Sequence, residues 1–589
     1  MTSDKTRFRA AAVAVALAML AACSSTGDGD PKPTAATGFN AALKGTVNPS
    51  DKSGGTLKVG TAARCDSWDP ATTYGGTCWR LHRVLSRTLV AFGRSGVAGK
   101  PGNAGVLTPD LAEGLGQANA DKTEWTFHLR DGLVFSDGTP ITSAAVKYGF
   151  ERLFATDVIT GGPAGYFLCL LDKCDADGAP AYKGPYKDKN GLASIATPDD
   201  RTVVFRLTES LGDFNELMTI PATAPVPQAK DKGAQYGTAT NLVSSGPYML
   251  ESNDPDQSVV LTRNPHWTAA SDPIRRALPD KIELTVFSNA DDLDARLKTG
   301  ALDVSIDDGA QPTFLSQVIN DPALKANADD PTTLGMTMMI VYPSAENLTD
   351  VHCRRAVAYA LDKRDLVIQA GGSYGAEFAG TLLPPGLAGH QDVNPYPSGA
   401  DWTGDLDKAK AELQQCGKPT GFSTALAYSN YGSDPKMYAS IKSALSRVGI
   451  IVEGRQIDSS TGYDTLSTPT AVKKQNIGLA LMGWYPDYRS ANGFLTLLVD
   501  AGRYTGTTSS TNFVGLNDPE IQKLVAQART AESGELPGIF AQMDARTMDA
   551  ATYLPLFYTK AMMYHSPRVT NVDWVDAPGY WDLANIGVA

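Results

Sequence analysis

The stretch WTFHLRDGLVFSDGTPITSAAVKYGFERL, residues 125–153, reads as strand, turn and helix in succession. Trp125, Phe127 and Leu129 alternate with polar residues, the period of two of a half-buried strand. Asp137-Gly138 supplies a turn, and Pro140, which has no N–H, bars further ladder pairing. Thr142 then stands at the N-cap position of SAAVKYGFERLF. The same two patterns recur along the chain. GTLKVGTA, TVVFRL, SVVLTRN and KIELTVF read as strands. Asp350 precedes one helical run, VHCRRAVAYALDKRDLVIQ. Asp405 opens LDKAKAELQQ, which stops at Cys416-Gly417 with Pro419 beyond, and Asp518 caps a helix with Pro519 at its first position. Strands and helices mixed over this length predict an α/β or α+β protein.

The N-terminus is a different kind of segment. Lys5, Arg7 and Arg9 precede 13 apolar residues, Ala10 to Ala22, and then Cys23. The apolar run is shorter than the roughly 20 residues that a bilayer span needs, so residues 1–22 read as a secretory signal. Leu20-Ala21-Ala22-Cys23 resembles a lipobox, which implies cleavage before Cys23 and acylation of its thiol. Residues 23–46, rich in Gly, Ser, Asp, Pro and Ala, read as a flexible tether. The expected location is the outer face of a bacterial membrane, held by lipid.

Of the seven Cys, six remain after Cys23, and an even number in an exported chain points to disulfides. The pairing is open, but proximity in sequence favours Cys65–Cys78 and Cys169–Cys174, which leaves Cys353–Cys416. No pair has the spacing of a zinc or redox site, and the six His are scattered, so no metal or other cofactor is expected. Loss of the signal moves the formal charge from −12 to about −14, which argues against nucleic-acid binding. Roughly 565 residues exceed what one core usually supports, so two or three domains are expected. Residues 171–192 read as a polar surface loop.

Three groups of residues invite a chemical reading. Gly371-Gly372-Ser373-Tyr374-Gly375 fits the G-x-S-x-G pattern of a hydrolase nucleophile. That elbow needs a strand before it and a helix after, and here a helix precedes. Asp303, Asp307 and Asp308 read as solvated turn acids rather than a carboxylate site. Residues 482–489, MGWYPDYR, set Asp487 among Trp484, Tyr485 and Tyr488 at the end of an apolar run that begins at Ile477. An acid there can be catalytic, a ligand-binding charge, or an ordinary strand-end residue.

A further set of motifs bears on that choice. TPDLAEGL, SSGPYMLE, LTRNPHW, CRRAVAYALDKRDLV, DLDKAKAELQQCG, MGWYPDYRSANGFL, LNDPEIQKLVAQA and LPLFYTK follow one another, with residues 125–153 after the first. In this order they resemble the solute-binding proteins of ABC importers of the oligopeptide, dipeptide and nickel class, family 5, over about residues 54–589. The resemblance implies a two-lobed α/β periplasmic-binding-protein-like fold of class II, cluster C, with an inserted subdomain and a two-strand hinge. The implied first lobe is 47–100, 236–332 and 554–589, with the insert at 101–235 and the second lobe at 333–553. Hinge strands are expected near Thr333–Tyr342 and Thr552–Tyr558.

The implied function is a monomeric, non-enzymatic receptor that delivers peptides to a permease and its ATPases. The alternatives are a nickel chelate, an oligosaccharide or another cationic solute. Scarce His argues against direct nickel ligation. Trp484, Asp487, Tyr488, Phe494 and Leu495 fall where relatives end a strand at the cleft, with the acid on the peptide α-ammonium. Backbone at Gly483 and Tyr485 would pair with an extended peptide. On the first lobe, Ala63 and Arg64 are expected to face the cleft after their strand, or to be a plain strand exit. The chain departs from its relatives at Ser490-Ala491, where they carry an acid and a proline, and at Ala145, where they carry Asp. Arg489 is unusual, and either attracts a ligand carboxylate or pairs with Asp487.

Overall fold

The structure, a computed structural model, describes residues 36–94, 105–175, 178–254, 257–306, 309–399, 401–430, 432–458, 461–506, 510–575 and 580–589. Cys23, Asp307 and Asp308 lie outside the described residues.

Three sheets organise the chain. A five-stranded sheet runs Val304–Ser305, Thr56–Thr61, Lys281–Val286, Ser258–Arg263, Tyr248–Asp254. Its first three strands are parallel and the last two join antiparallel. A six-stranded sheet runs Ala376–Phe378, Tyr553–Lys560, Thr332–Val341, Ile477–Trp484, Ser423–Ser429, Ile451–Ile457. The third, of four antiparallel strands, holds Glu124–His128 and Thr202–Arg206 at its centre. Each sheet buries its own apolar cluster, which is the arrangement of separate cores in one chain.

The route between cores places the cleft. The chain enters the six-stranded sheet along Thr332–Val341 and leaves it along the neighbouring antiparallel strand Tyr553–Lys560. Residues beyond it, among them Val569, Trp574, Trp581 and Ile586, return to the core of the five-stranded sheet. The segments Thr333–Tyr342 and Thr552–Tyr558, expected to cross between lobes, are therefore adjacent strands of one sheet.

Capping chemistry sets the helices. Asp350, Asp405 and Asp518 each accept backbone N–H groups of the first turn that follows. Asp362 does the same for Lys363–Gln369 by accepting Asp365 N. That cap breaks the single run expected from 351 to 369 into Val351–Ala360 and Lys363–Gln369. Thr142 occupies its N-cap position in extended backbone without a side-chain bond, and the neighbouring Ser143 hydroxyl reaches Asp199 O instead. The strand that opens residues 125–153 ends at His128, and after it a single bridge joins Val134 and Pro140.

The three disulfides join Cys65–Cys78, Cys169–Cys174 and Cys353–Cys416, with Cα–Cα distances of 5.0, 5.2 and 5.5 Å. Three expectations need correction. The tether does not extend through Thr46: Ala41, Ala42 and Val47 are buried, and Asp329 accepts Ala42 N at 2.9 Å. The small apolar residues that made this segment look coreless pack into the apolar cluster of the first lobe. Residues 171–192 are more than a surface loop, because Tyr182 and Leu192 are buried and Tyr182 meets Phe154 edge-on at 5.5 Å. Asp303 is no solvated acid. It is fully buried, accepts Lys58 N at 2.7 Å and pairs with Arg568.

Candidate ligand-binding cleft

The strand Ile477–Trp484 lies between Thr332–Val341 and Ser423–Ser429, with Met336 opposite Trp484. Residues 477–481 are buried, and the strand emerges at Gly483. Beyond its end, Tyr485, Pro486, Asp487 and Tyr488 line a cavity of about 400 Å³. Tyr74, Trp79 and Arg80 from the first lobe, Ile220 from the insert and Thr559–Ala561 from the returning strand close its other sides. All three cores thus contribute to one cavity, of the size that small organic ligands occupy.

Asp487 is the point of convergence. Tyr74, 413 positions away, donates its phenol to Asp487 Oδ2 at 2.6 Å, and Tyr166 of the insert donates to the same oxygen. Burial, and then the Asp487 charge, raise both phenols above their ordinary range, so each stays a donor. Among the described residues no donor reaches Oδ1 of Asp487. The cleft therefore presents one carboxylate oxygen without a partner.

The cations around the same cavity are committed. Arg83 pairs with Asp582 at 3.0 Å, Arg275 with Asp110 at 2.9 Å, and Lys560 with Asp330 at 2.5 Å. Arg80 lies over the ring of Tyr580 and donates to Ile306 O. Burial pushes His82 down to about 4, which leaves it neutral at pH 7 against Ser86 Oγ at 2.9 Å. An open carboxylate oxygen among paired cations favours a cationic donor on the ligand.

The residues singled out in the sequence take different places. Tyr485, 54% exposed, forms cavity wall and covers Gly335, where an added Cβ would lie 2.0 Å from the ring. Tyr488 is buried in the insert's apolar cluster and meets Tyr166 edge-on at 5.8 Å. Trp484 turns inward: its indole donates to Phe494 O at 2.9 Å and its ring packs on Phe513. Phe494 and Leu495 are buried in the second lobe's core, and Gly483 stands opposite Thr337 in the sheet. Arg489 donates to Gly105 O at 2.8 Å and to Gly386 O at 3.0 Å, and Asp487's partners are the two phenols. Ala63 and Arg64 are exposed and stand outside the cavity wall, in a turn where Thr61 Oγ1 bonds Ala63 N and O.

On the first lobe the wall comes instead from the loop and helix that follow, Tyr74 through Thr88. Tyr74 and Tyr166 escaped the sequence reading. The signal for Tyr74 was its place inside the Cys65–Cys78 loop, whereas Tyr166 stands in no motif. Ser373 follows Gly371 and Gly372, whose φ angles are +104° and +70°, and its carbonyl accepts Lys560 Nζ. Helix, turn and strand follow in that order there, the reverse of a nucleophile elbow.

Known proteins match the chain in sequence and fold. The family profile described as bacterial extracellular solute-binding proteins, family 5, matches residues 106–506. The chain belongs to that family. The solute-binding fold is two-lobed and mixed α/β, as the sheets show. The solved structure named "Clavulanic acid biosynthesis oligopeptide binding protein 2" superposes with a TM-score of 0.89 at 38% identity, over 94% of this chain and 99% of that one. The probable D,D-dipeptide-binding periplasmic protein of Escherichia coli is 27% identical, over 85% of this chain and 88% of its own. The periplasmic oligopeptide-binding protein of Salmonella typhimurium is 26% identical, over 85% and 87%. Solute-binding proteins of this family are receptors rather than enzymes. Among the described residues no helix is long and apolar enough to cross a membrane.

Proposed function

We propose that this solute-binding protein is the extracytoplasmic receptor of an ABC importer and captures peptides through their free amino terminus. The observation that carries this reading is Asp487, at the end of a core strand, with Oδ2 held by two phenols and Oδ1 open to the cavity. A peptide ammonium supplies both the charge and the N–H that Oδ1 lacks. Backbone beyond Gly483 offers further bonds to an extended ligand, the mode that tolerates many side chains. The names of the peptide-binding relatives agree with this chemistry.

In this reading, Cys23 anchors the chain by lipid, the lobes close as a monomer around the solute, and the closed form docks on the permease. The proposed first lobe starts at residue 36 rather than 47, because residues 36–46 pack on it. The insert and second lobe keep the boundaries 101–235 and 333–553. Thermal-shift screening of the soluble chain tests the ligand class, since a ligand bound by the folded state raises stability by about 2.7 kcal/mol at a hundredfold excess over Kd. Short peptides are expected to stabilise it, and sugars or nickel chelates to leave it unchanged. Stabilisation by sugars or chelates alone would overturn the peptide assignment.

A further inference from the structure

The loop between Cys65 and Cys78 is held from several sides at once. Its ends are joined by a disulfide. Within it, Asp66 accepts Thr73 Oγ1 at 2.8 Å, Tyr74 N at 2.7 Å and Gly75 N at 3.0 Å. The indole of Trp79 donates to Thr73 O at 3.0 Å, and its ring meets Tyr74 edge-on at 5.7 Å. These contacts surround Tyr74, whose phenol crosses the cleft to Asp487. Tyr74 faces the cavity, whereas Tyr166 is not part of its wall.

We propose that the Cys65–Cys78 loop is a specificity element that selects primary ammonium ligands, an inference that rests on Asp487 being the amine site. Tyr74 and Tyr166 tie up Oδ2, which turns Oδ1 toward the cavity. The Tyr74 oxygen gives its proton to Asp487 and is neighboured by the Tyr166 hydroxyl, which leaves it one lone pair for a second N–H of the ligand. Oδ1 and Tyr74 Oη then form a two-acceptor cradle that fits a compact ion with several N–H donors. A trimethylated amine has the same charge but no donor, and its methyl groups strand both acceptors. Sites built to receive a hydrogen bond reject such analogues far more strongly than apolar pockets reject a methylene. Asp66 lies outside the cavity wall and acts through Tyr74, as a positioning residue.

Calorimetric titration tests this with trialanine and its N-terminally trimethylated counterpart, both on the soluble chain stripped of ligand. The wild type is expected to prefer the free amine by about tenfold or more. Tyr74→Phe should cut that preference to about threefold, the loss of one hydrogen bond. Asp66→Ala should shift it the same way while circular dichroism shows a folded protein. An unchanged preference in Tyr74→Phe, or tighter binding of trialanine, would overturn the proposal. If Asp487→Asn abolishes the preference and Tyr74→Phe leaves it at the wild-type value, the loop assignment alone fails. If Asp487→Asn also retains it, or the wild type binds neither peptide, the amine reading falls and the loop assignment with it.

Discussion

Arg489 shows how one side chain can be misjudged from its neighbours in sequence. Two residues from Asp487, it suggested either a ligand contact or an internal ion pair. The guanidinium is instead given to the carbonyls of Gly386 and Gly105, which ties the strand end to two distant loops. A planar fork with five donors suits that task better than a lysine would. Arg489→Ala is expected to lower unfolding stability by about 0.5–1.5 kcal/mol in urea titration, because it removes the hydrogen bonds to the carbonyls of Gly386 and Gly105. The preference for free over acetylated peptides should survive the change. If that preference disappears, Arg489 acts on the ligand and the structural role fails.

At the scale of elements, much of the sheet and helix pattern was legible, and the reason is physical. The alternation at Trp125 and Phe127 and the Asp caps are local signals that act within one turn or one strand. The break at Asp362 was equally local, but the apolar period of the flanking residues masked it. What stayed hidden depends on distant pairings. Tyr166 reaches Asp487 across 321 positions, and no periodicity reports that. The strand Thr332–Val341 has a bulge between Thr332 and Met336, where Leu334 adopts φ +59°. Such bulges re-aim a strand next to a site.

Gly335 in that bulge leaves room for Tyr485, and an added Cβ would also come within 2.6 Å of Thr559 Oγ1. Gly335→Ala should cost about 1–3 kcal/mol by overpacking and weaken peptide binding, measured by thermal melt and titration. Unaltered binding would show that Tyr485 does not shape the cavity.

The insert carries a second testable feature at its contact with the second lobe. Asp213 accepts Asn492 Nδ2 at 3.1 Å, and Glu216 lies beside it, with Tyr488 and Arg503 nearby. Burial, and then the charge of Asp213, push Glu216 up to about 8, and burial raises Asp213 as well. The folded chain then keeps a proton that the unfolded chain, with Glu near 4.3, has released, roughly over pH 4–8. Stability therefore falls as pH rises through that window. Glu216→Gln should melt higher than the wild type at pH 8 and nearly level with it at pH 5. A difference that does not change with pH would exclude this titration.

At the scale of the whole molecule, the order of the chain would couple ligand binding to shape in the proposed receptor. Two neighbouring strands carry the chain between lobes, and four residues that follow the strand Ile477–Trp484 touch the other side. Asp487 meets Tyr74 and Tyr166, Tyr488 enters the insert's core, Arg489 holds Gly105, and Asn492 meets Asp213. The pair Arg529–Glu209 joins the same lobes at the surface but contributes little, as solvated pairs do, and Lys122–Glu532 joins them with its carboxylate in solvent. In the proposed reading, closure is governed where the ligand charge is read, the arrangement expected of a hinged receptor.

The most direct measurement is a calorimetric cycle with trialanine and N-acetyl-trialanine on the wild type and Asp487→Asn. The free amine should bind the wild type about tenfold or more tighter than the acetylated peptide, as a lost charge-assisted bond implies, and Asp487→Asn should erase that gap by weakening the free peptide alone. Equal affinities for the two peptides in the wild type, or an equal loss for both in Asp487→Asn, would contradict the assignment of Asp487 as the amine site.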